Sequence, residues 1–432
     1  TYNNNKSNAA TIQISDAGPG IFAVSSGGYG PGVVQNYISA ASQPINSSLA
    51  PASPGQVITI WGTGLGPVAF PDNVAPTVGN VTTAVSVTIG GQPATIAYAG
   101  RSPCCSGVDQ VVATVPANAP LGCWVPVTIN AGGWVSNTVT MAISAPGAAA
   151  CSDPGNPLSA MVQTPGAQAY IDFERMNTID NVNASPPNLK TMDKLYTRFY
   201  TRPDSPYNFD PYMSYPPAGS CIVNETSGNA FLTKSLRGAL PAGASLNPQP
   251  NQAYNNGTQT LTFSPSGAFF SSTVAATIDS TSVLMNPLGA NANLTIDPSG
   301  PNQTVVPMAV EPPPSWTPPG GILTITRSSP FTVNFTPGDP AAPTAILLYS
   351  YTAVYNATVS INCLAAPGAT SFTIPADLLS QIPATYGLID GSYVNLFIGT
   401  LGFDQAATFS NGLAASGLYL SSNWLGQAVV LQ

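Results

Sequence analysis

Two carboxylates, Asp172 and Glu174, stand two residues apart in Tyr170-Ile171-Asp172-Phe173-Glu174-Arg175. That spacing puts both on one face of a strand. Such a pair could serve as general acid and base on a glycosidic bond. The plainer reading, and the one expected, is a solvated face with Arg175 as neighbour. Other chemistry is thin. The chain has no histidine, which removes Ser-His-Asp and Cys-His machinery and the imidazole metal ligand. Asp109 follows two adjacent cysteines and reads as a turn residue. Gly62-Thr63-Gly64-Leu65-Gly66 has the glycine density of a phosphate loop but lacks the following Lys and helix. Asp-x-Asp, the alternation used by calcium loops, does not occur. No enzymatic activity and no cofactor are expected.

Cysteine chemistry is the remaining covalent option. Cys104, Cys105, Cys123, Cys151, Cys221 and Cys363 lack the CxxC spacing of metal clusters. An even count on a charge-poor chain points to three disulfides and an oxidising compartment. Adjacent Cys104 and Cys105 are expected to avoid each other and take Cys123 and Cys151, leaving Cys221 with Cys363. Asn-x-Ser/Thr sequons occur at Asn5, Asn46, Asn80, Asn183, Asn224, Asn256, Asn293, Asn302, Asn334 and Asn356, a small excess over chance. Trp61, Trp124, Trp134, Trp316, Trp424 and 17 Tyr supply faces that could stack on sugar rings. Aromatics in a sandwich are more often packing, and exposure beside Asn or Asp separates the two uses.

The 432 residues include only 10 Lys plus Arg against 18 Asp plus Glu, for a net charge of −8. That leaves no basic track for nucleic acid. No apolar run is long enough to span a membrane. A chain opening at Thr1 reads as a processed, secreted product, extracellular or at a cell surface.

These groups must be positioned by strands. Apolar residues alternate in short runs such as Val57-Ile58-Thr59-Ile60-Trp61, Val85-Ser86-Val87-Thr88-Ile89 and Val125-Pro126-Val127-Thr128-Ile129, with turn signals every ten or so residues. The fold class is all-β, with immunoglobulin-like β-sandwiches in tandem. Five segments are expected: an orphan strand at 1–16, a sandwich at 17–147, a linker and charged, aromatic segment at 148–215, and sandwiches at 216–310 and 311–432. A Cys221–Cys363 bridge would favour fusing the last two. Within 148–215, Ser185-Pro186-Pro187 opens a helix expected at 187–200, with Leu189, Met192, Tyr196 and Phe199 on one face. This stretch is either a spacer docked on a sandwich or a subunit contact through Tyr196, Phe199 and Tyr200.

Residues 17 to 147 carry a resemblance. Pro19-Gly20-Ile21-Phe22, Pro54 to Gly66, Val87 to Ala94 and Ser136 to Thr140 resemble the Solibacter-type uncharacterised C-terminal domain of secreted acidobacterial proteins, whose middle looks like an IPT/TIG immunoglobulin-like sandwich. The resemblance implies a secreted β-sandwich module and no catalytic residues.

One internal repeat remains. Ser7-Asn8-Ala9-Ala10-Thr11-Ile12-Gln13-Ile14-Ser15 parallels Ser136-Asn137-Thr138-Val139-Thr140-Met141-Ala142-Ile143-Ser144, the closing strand of that sandwich. The first copy reads as a closing strand without its sandwich. Burying Ile12 and Ile14 contributes about 1.5–3 kcal/mol each. Ordering nine residues costs roughly 1–2 kcal/mol apiece. Only a hydrogen-bonded ladder offsets that, so Thr11, Ile12, Gln13, Ile14 and Ser15 are expected to add to a sheet. If the sheet belongs to another copy, the head-to-tail contact builds a homopolymer, an extracellular filament. The alternative is a glycan-binding surface adhesin without polymerisation.

Overall fold

The structure is a computed structural model that describes residues 14–69, 79–181, 188–227, 253–256, 259–262, 273–278, 292–296, 304–308, 311–317, 322–352, 357–385, 393–403, 406–409 and 416–432. The fold is all-β. Its first unit holds β1 (Gly20–Ile21), β2 (Val34–Asn36), β3 (Val57–Thr63), β4 (Val85–Ile89), β5 (Gln92–Pro93), β6 (Thr95–Arg101), β7 (Asp109–Thr114), β8 (Gly122–Ala131), β9 (Trp134–Val135) and β10 (Val139–Ile143). One sheet runs β1-β3-β7-β6 with β2 also on β3; the other runs β10-β8-β4-β5 with β9 on β8.

Alternation decides which residues face inward. In β3, Ile58 and Ile60 are fully buried while Val57 is exposed. They meet Val87, Ile89, Val125, Val127 and Ile129 of the facing sheet in one core. Gly90 and Gly91 join β4 to β5 with φ of 58° and 79°, the left-handed geometry a two-residue hairpin requires. β8 serves two cores: Val125, Val127 and Ile129 enter this one, while Cys123 and Trp124 at its start enter a different one.

That second core is the joint between the units. It gathers Cys123, Trp124 and Ala142 with Leu158, Met161 and Val162 of α1 (Pro157–Gln163), and with Leu364, Leu401, Leu418, Leu420 and Trp424. The helix α1 is capped at Asn156, whose side chain accepts from Leu158 N.

The second unit follows with β11 (Gly166–Asn181), β12 (Asn188–Arg202), β13 (Ser220–Ser227), β14 (Ala253–Asn256), β15 (Gln259–Thr262), β16 (Thr273–Ile278), β17 (Ala292–Ile296), β18 (Thr304–Met308), β19 (Leu323–Ile325), β20 (Phe331–Asn334), β21 (Thr344–Thr352), β22 (Ala357–Ala365), β23 (Ser371–Ile374), α2 (Ala376–Leu379), β24 (Tyr393–Leu401), β25 (Ala407–Phe409) and β26 (Ser416–Leu431). A ten-stranded sheet runs β13-β22-β21-β24-β26-β11-β12-β16, with β19 and β25 also on β26. β14, β15, β17 and β18 form a four-stranded sheet, and β20 pairs with β23.

Three expectations are corrected here. The helix expected over 187–200 is strand: Asn188–Arg202 pairs antiparallel with β11 along its length. Thr191, Thr197, Phe199, Tyr200 and Thr201 suit a pleated strand, and a ladder to β11 outweighs a helical pattern too short to stand alone. The stretch 148–215 is therefore no linker, since β11 and β12 sit inside the large sheet. The boundary at 310 is crossed as well: β13 pairs with β22 from Ser220↔Leu364 to Ser227↔Ala357.

Candidate functional site

The chain enters the first sandwich at Ala17, which is buried, and Gly18 N donates to Gly64 O at 2.9 Å. Just before it, Ser15 is exposed and its Oγ donates to Ala17 O at 2.6 Å. Ile14 is 86% exposed and belongs to no strand. Thr11, Ile12 and Gln13 lie outside the described residues. The second copy of the repeat is β10, whose outer edge is occupied: Thr140 O accepts from Gly32 N and Ala142 O from Ala52 N.

Ile14 to Ala17 form one wall of an open groove of about 870 Å³, completed by Pro67, Thr82 to Ala84, Gly132 and Trp134. Trp134 opens β9 at the end of a turn in which Gly132 and Gly133 have φ of 60° and 89°. The turn holds the indole out, 56% exposed. The remaining tryptophans pack: Trp124, Trp316 and Trp424 are buried, and Trp61 Nε1 donates to Gln35 Oε1 at 2.8 Å. A second aromatic group was not anticipated. Tyr349 and Tyr351 of β21 lie against Tyr393 of β24, with ring centroids 6.1 and 5.5 Å apart. The alternation of tyrosines in Tyr349-Ser350-Tyr351 was the available signal.

Asp172 and Glu174 do share a face of β11, where both are half-buried rather than fully solvated as expected. Burial pushes the Asp172 carboxyl up to about 8 and the neighbouring Glu174 charge adds to the rise, against hydrogen bonds from Ser422 and Tyr170 that lower it. Ser422 Oγ donates to Asp172 Oδ1 at 3.1 Å and accepts from Trp424 Nε1 at 3.1 Å. Tyr215 is raised by burial first, then by the two carboxylates. Asn177 Nδ2 donates to Asn423 Oδ1 at 2.9 Å, and Asn423 Nδ2 to Glu311 O at 2.9 Å. The pair is tied into a polar layer within the sheet rather than set across a cleft. Asp109 is also more than a turn residue. It pairs with Arg101 and accepts from Leu65 N at 2.9 Å, while Arg101 Nη2 donates to Gly66 O at 3.2 Å.

The disulfides are Cys104–Cys105, Cys123–Cys151 and Cys221–Cys363. The pairing of Cys104 and Cys105 with Cys123 and Cys151 is thus corrected. Cys104 and Cys105 sit on the exposed turn between β6 and β7, while Cys123 and Cys151 face each other inside the joint core.

Two sequons fall on buried side chains. Asn46 is 2% exposed; its Nδ2 donates to Asn36 Oδ1 and Ala142 O, and its Oδ1 accepts from Ala142 N. Asn224, in β13, is equally buried. Neither can carry a glycan on the folded chain. Asn80 and Asn334 are exposed. Asn256 and Asn293 lie in β14 and β17, and Asn302 and Asn356 lie outside the described residues. Tyr196, Phe199 and Tyr200 are in β12, opposite Asp172, Ala169 and Gln168 of β11, so their backbones serve the large sheet. Among the described residues no group of His, Cys, Asp and Glu could hold a metal ion, and no helix is long and apolar enough to cross a membrane.

No curated protein matches the chain. Among solved structures, the titin I-band fragment I67–I69 is 7% identical, with a TM-score of 0.13 over 88% of this chain and 95% of that one. The I9–I11 tandem of titin is 8% identical, with a TM-score of 0.13 over 88% and 96%. An endo-fucoidan hydrolase from glycoside hydrolase family 107 is 11% identical, with a TM-score of 0.10 over 83% and 43%. TM-scores this low establish no shared fold. Residues 43–143 match the model of the IPT/TIG domain, so that segment of the first sandwich is an IPT/TIG immunoglobulin-like domain.

Proposed function

We propose that the chain is a structural subunit of an extracellular filament or surface polymer, joined head-to-tail by donating residues 7–15 to a sheet of the next copy. The observation that carries this reading is Ile14. It continues the apolar alternation of the repeat yet is 86% exposed beside its own sandwich. An element patterned like β10 thus serves a sheet other than the one that follows it. In the large sheet, β13 is an end strand whose single partner among the described strands is β22, and it makes a suitable acceptor edge. Low charge favours stacking, because like-charged subunits repel. Three disulfides fit a secreted module of the kind the acidobacterial resemblance implies.

A chain lacking Thr1–Ser15, mixed with a synthetic peptide of residues 7–15, tests the reading. Saturable binding of the peptide by the truncated chain is expected, and a peptide with Ile12 and Ile14 changed to Ser should lose it. Equal binding of both peptides, or of neither, removes strand donation.

A second reading, glycan binding, is favoured by the groove, whose lining includes exposed Trp134 together with Asp16, Thr82 and Thr83. Trp134→Ala should abolish retention on polysaccharide columns without altering assembly. Unchanged retention removes this reading.

A further inference from the structure

Two of the three disulfides are sealed and one is open. Cys123 and Cys151 lie in the joint core, and Cys221 and Cys363 lie in the core of the large sheet at 3% and 0% exposure. Cys104 and Cys105 are both exposed, on the turn that links β6 to β7. The bridges also differ in what they tie. Cys123–Cys151 spans 28 residues of sequence and Cys221–Cys363 spans 142, while Cys104–Cys105 spans one. A bond between neighbours removes almost no freedom from the unfolded chain, so it does not staple the fold.

The turn does not depend on it either. Ser102 N donates to Val108 O at 2.8 Å and Thr63 Oγ1 to Gly107 O at 2.9 Å. Below them the Arg101–Asp109 pair ties β6 to β7. One further contact polarises the bond. Ser102, fully buried, donates from Oγ to Cys104 Sγ at 3.1 Å, and Cys104 N donates to Ser102 Oγ at 3.3 Å.

We propose that Cys104–Cys105 is a thiol-exchange site that reacts with an external thiol while the rest of the molecule stays folded and oxidised. An incoming thiolate attacks Cys105 Sγ. The Sγ–Sγ bond breaks, its electron pair leaves on Cys104 Sγ, and a mixed disulfide forms on Cys105. The Ser102 hydroxyl stabilises the departing Cys104 thiolate, which selects Cys105 as the attacked atom. A second external thiolate then releases Cys105 as a thiol. The external thiols become a disulfide, and Cys104 and Cys105 gain the two electrons. Ser102 is a positioning residue here, since it acts through the leaving sulfur. The site is independent of the filament reading.

The test uses the full folded chain treated briefly with dithiothreitol, then with N-ethylmaleimide, and mapped by peptide mass. Two labels are expected, on Cys104 and Cys105, with the other four cysteines still bridged and the melting temperature unchanged within a degree or two. Ser102→Ala should slow reduction roughly tenfold, and Ser102→Thr should restore it. Glutathione disulfide added to the reduced chain, with an acid quench, should trap its adduct on Cys105. Labels appearing on the buried pairs at the same rate, or a Cys104–Cys105 bond that opens only as the protein unfolds, would overturn the proposal. An unaltered rate in Ser102→Ala, or a trapped adduct on Cys104, would overturn the assignment of the leaving sulfur.

Discussion

The amino-terminal sandwich and the ten-stranded sheet treat buried polar groups in opposite ways. In the first, Asn46 is fully used by Asn36 and β10, and Arg101 and Asp109 answer each other while also holding Gly66 O and Leu65 N. In the second, Asn224 and Gln427 are buried, with neither amide atom bonded, and Asp172 is driven towards its neutral form by its surroundings. Unanswered buried amides cost stability, roughly 1–3 kcal/mol each. Accordingly, the longest disulfide span in the chain closes the second unit, where it offsets that cost by tying β13 to β22. The first unit, with Thr140 Oγ1 as an exception, rests mainly on bonded buried polar groups, and the second depends on its covalent staple and its protonation state.

Four measurements separate the two units, in order of decreasing effect. Replacing Cys221 and Cys363 by Ala should lower unfolding stability by about 4–5 kcal/mol, read from the denaturant midpoint, with the Trp424 environment lost first. A smaller loss than that of the Cys123 and Cys151 double variant, about 3–4 kcal/mol, would mean the second unit does not lean on its staple. Asp109→Ala should cost about 3–5 kcal/mol in the first unit, because it leaves the Arg101 charge buried without its carboxylate.

The third measurement is pH. Asp172 has an ordinary value of 3.8 and is pushed up to about 8 when folded. Between those values the folded chain keeps a proton that the unfolded chain has lost, so stability falls as pH rises through that window. Asp153, raised by burial to about 6, acts in the same direction. Melting temperature should drop by several degrees from pH 4 to pH 8, and Asp172→Asn should flatten the slope. The smallest effect belongs to Cys104→Ser with Cys105→Ser: less than about 1 kcal/mol, since that bridge restrains no loop.

Period-2 patterns made the strands of the first sandwich legible, because one face of each sheet is buried and alternation records which. Alternation sets Ile58 with Ile60 and Val87 with Ile89 on one face of their strands, and all four are buried, at 0–2% exposure. β12 was not legible. Leu189, Met192, Tyr196 and Phe199 fit a helical face, and the partner that overrules it, β11, gives a register that no local spacing encodes. The desolvation of half-buried Asp172 was hidden for a similar reason, since Ser422 arrives from a strand 250 residues away. Sequence sets adjacent Cys104 and Cys105 apart because a ring between neighbours reads as strained, while nothing local shows that their expected partners, Cys123 and Cys151, meet each other inside the joint core.

Electron microscopy of the full purified chain, beside the chain lacking Thr1–Ser15, tests the assembly claim most directly. Regular filaments are expected from the first and dispersed single particles from the second. Single particles from both, or the same filaments from both, would contradict it.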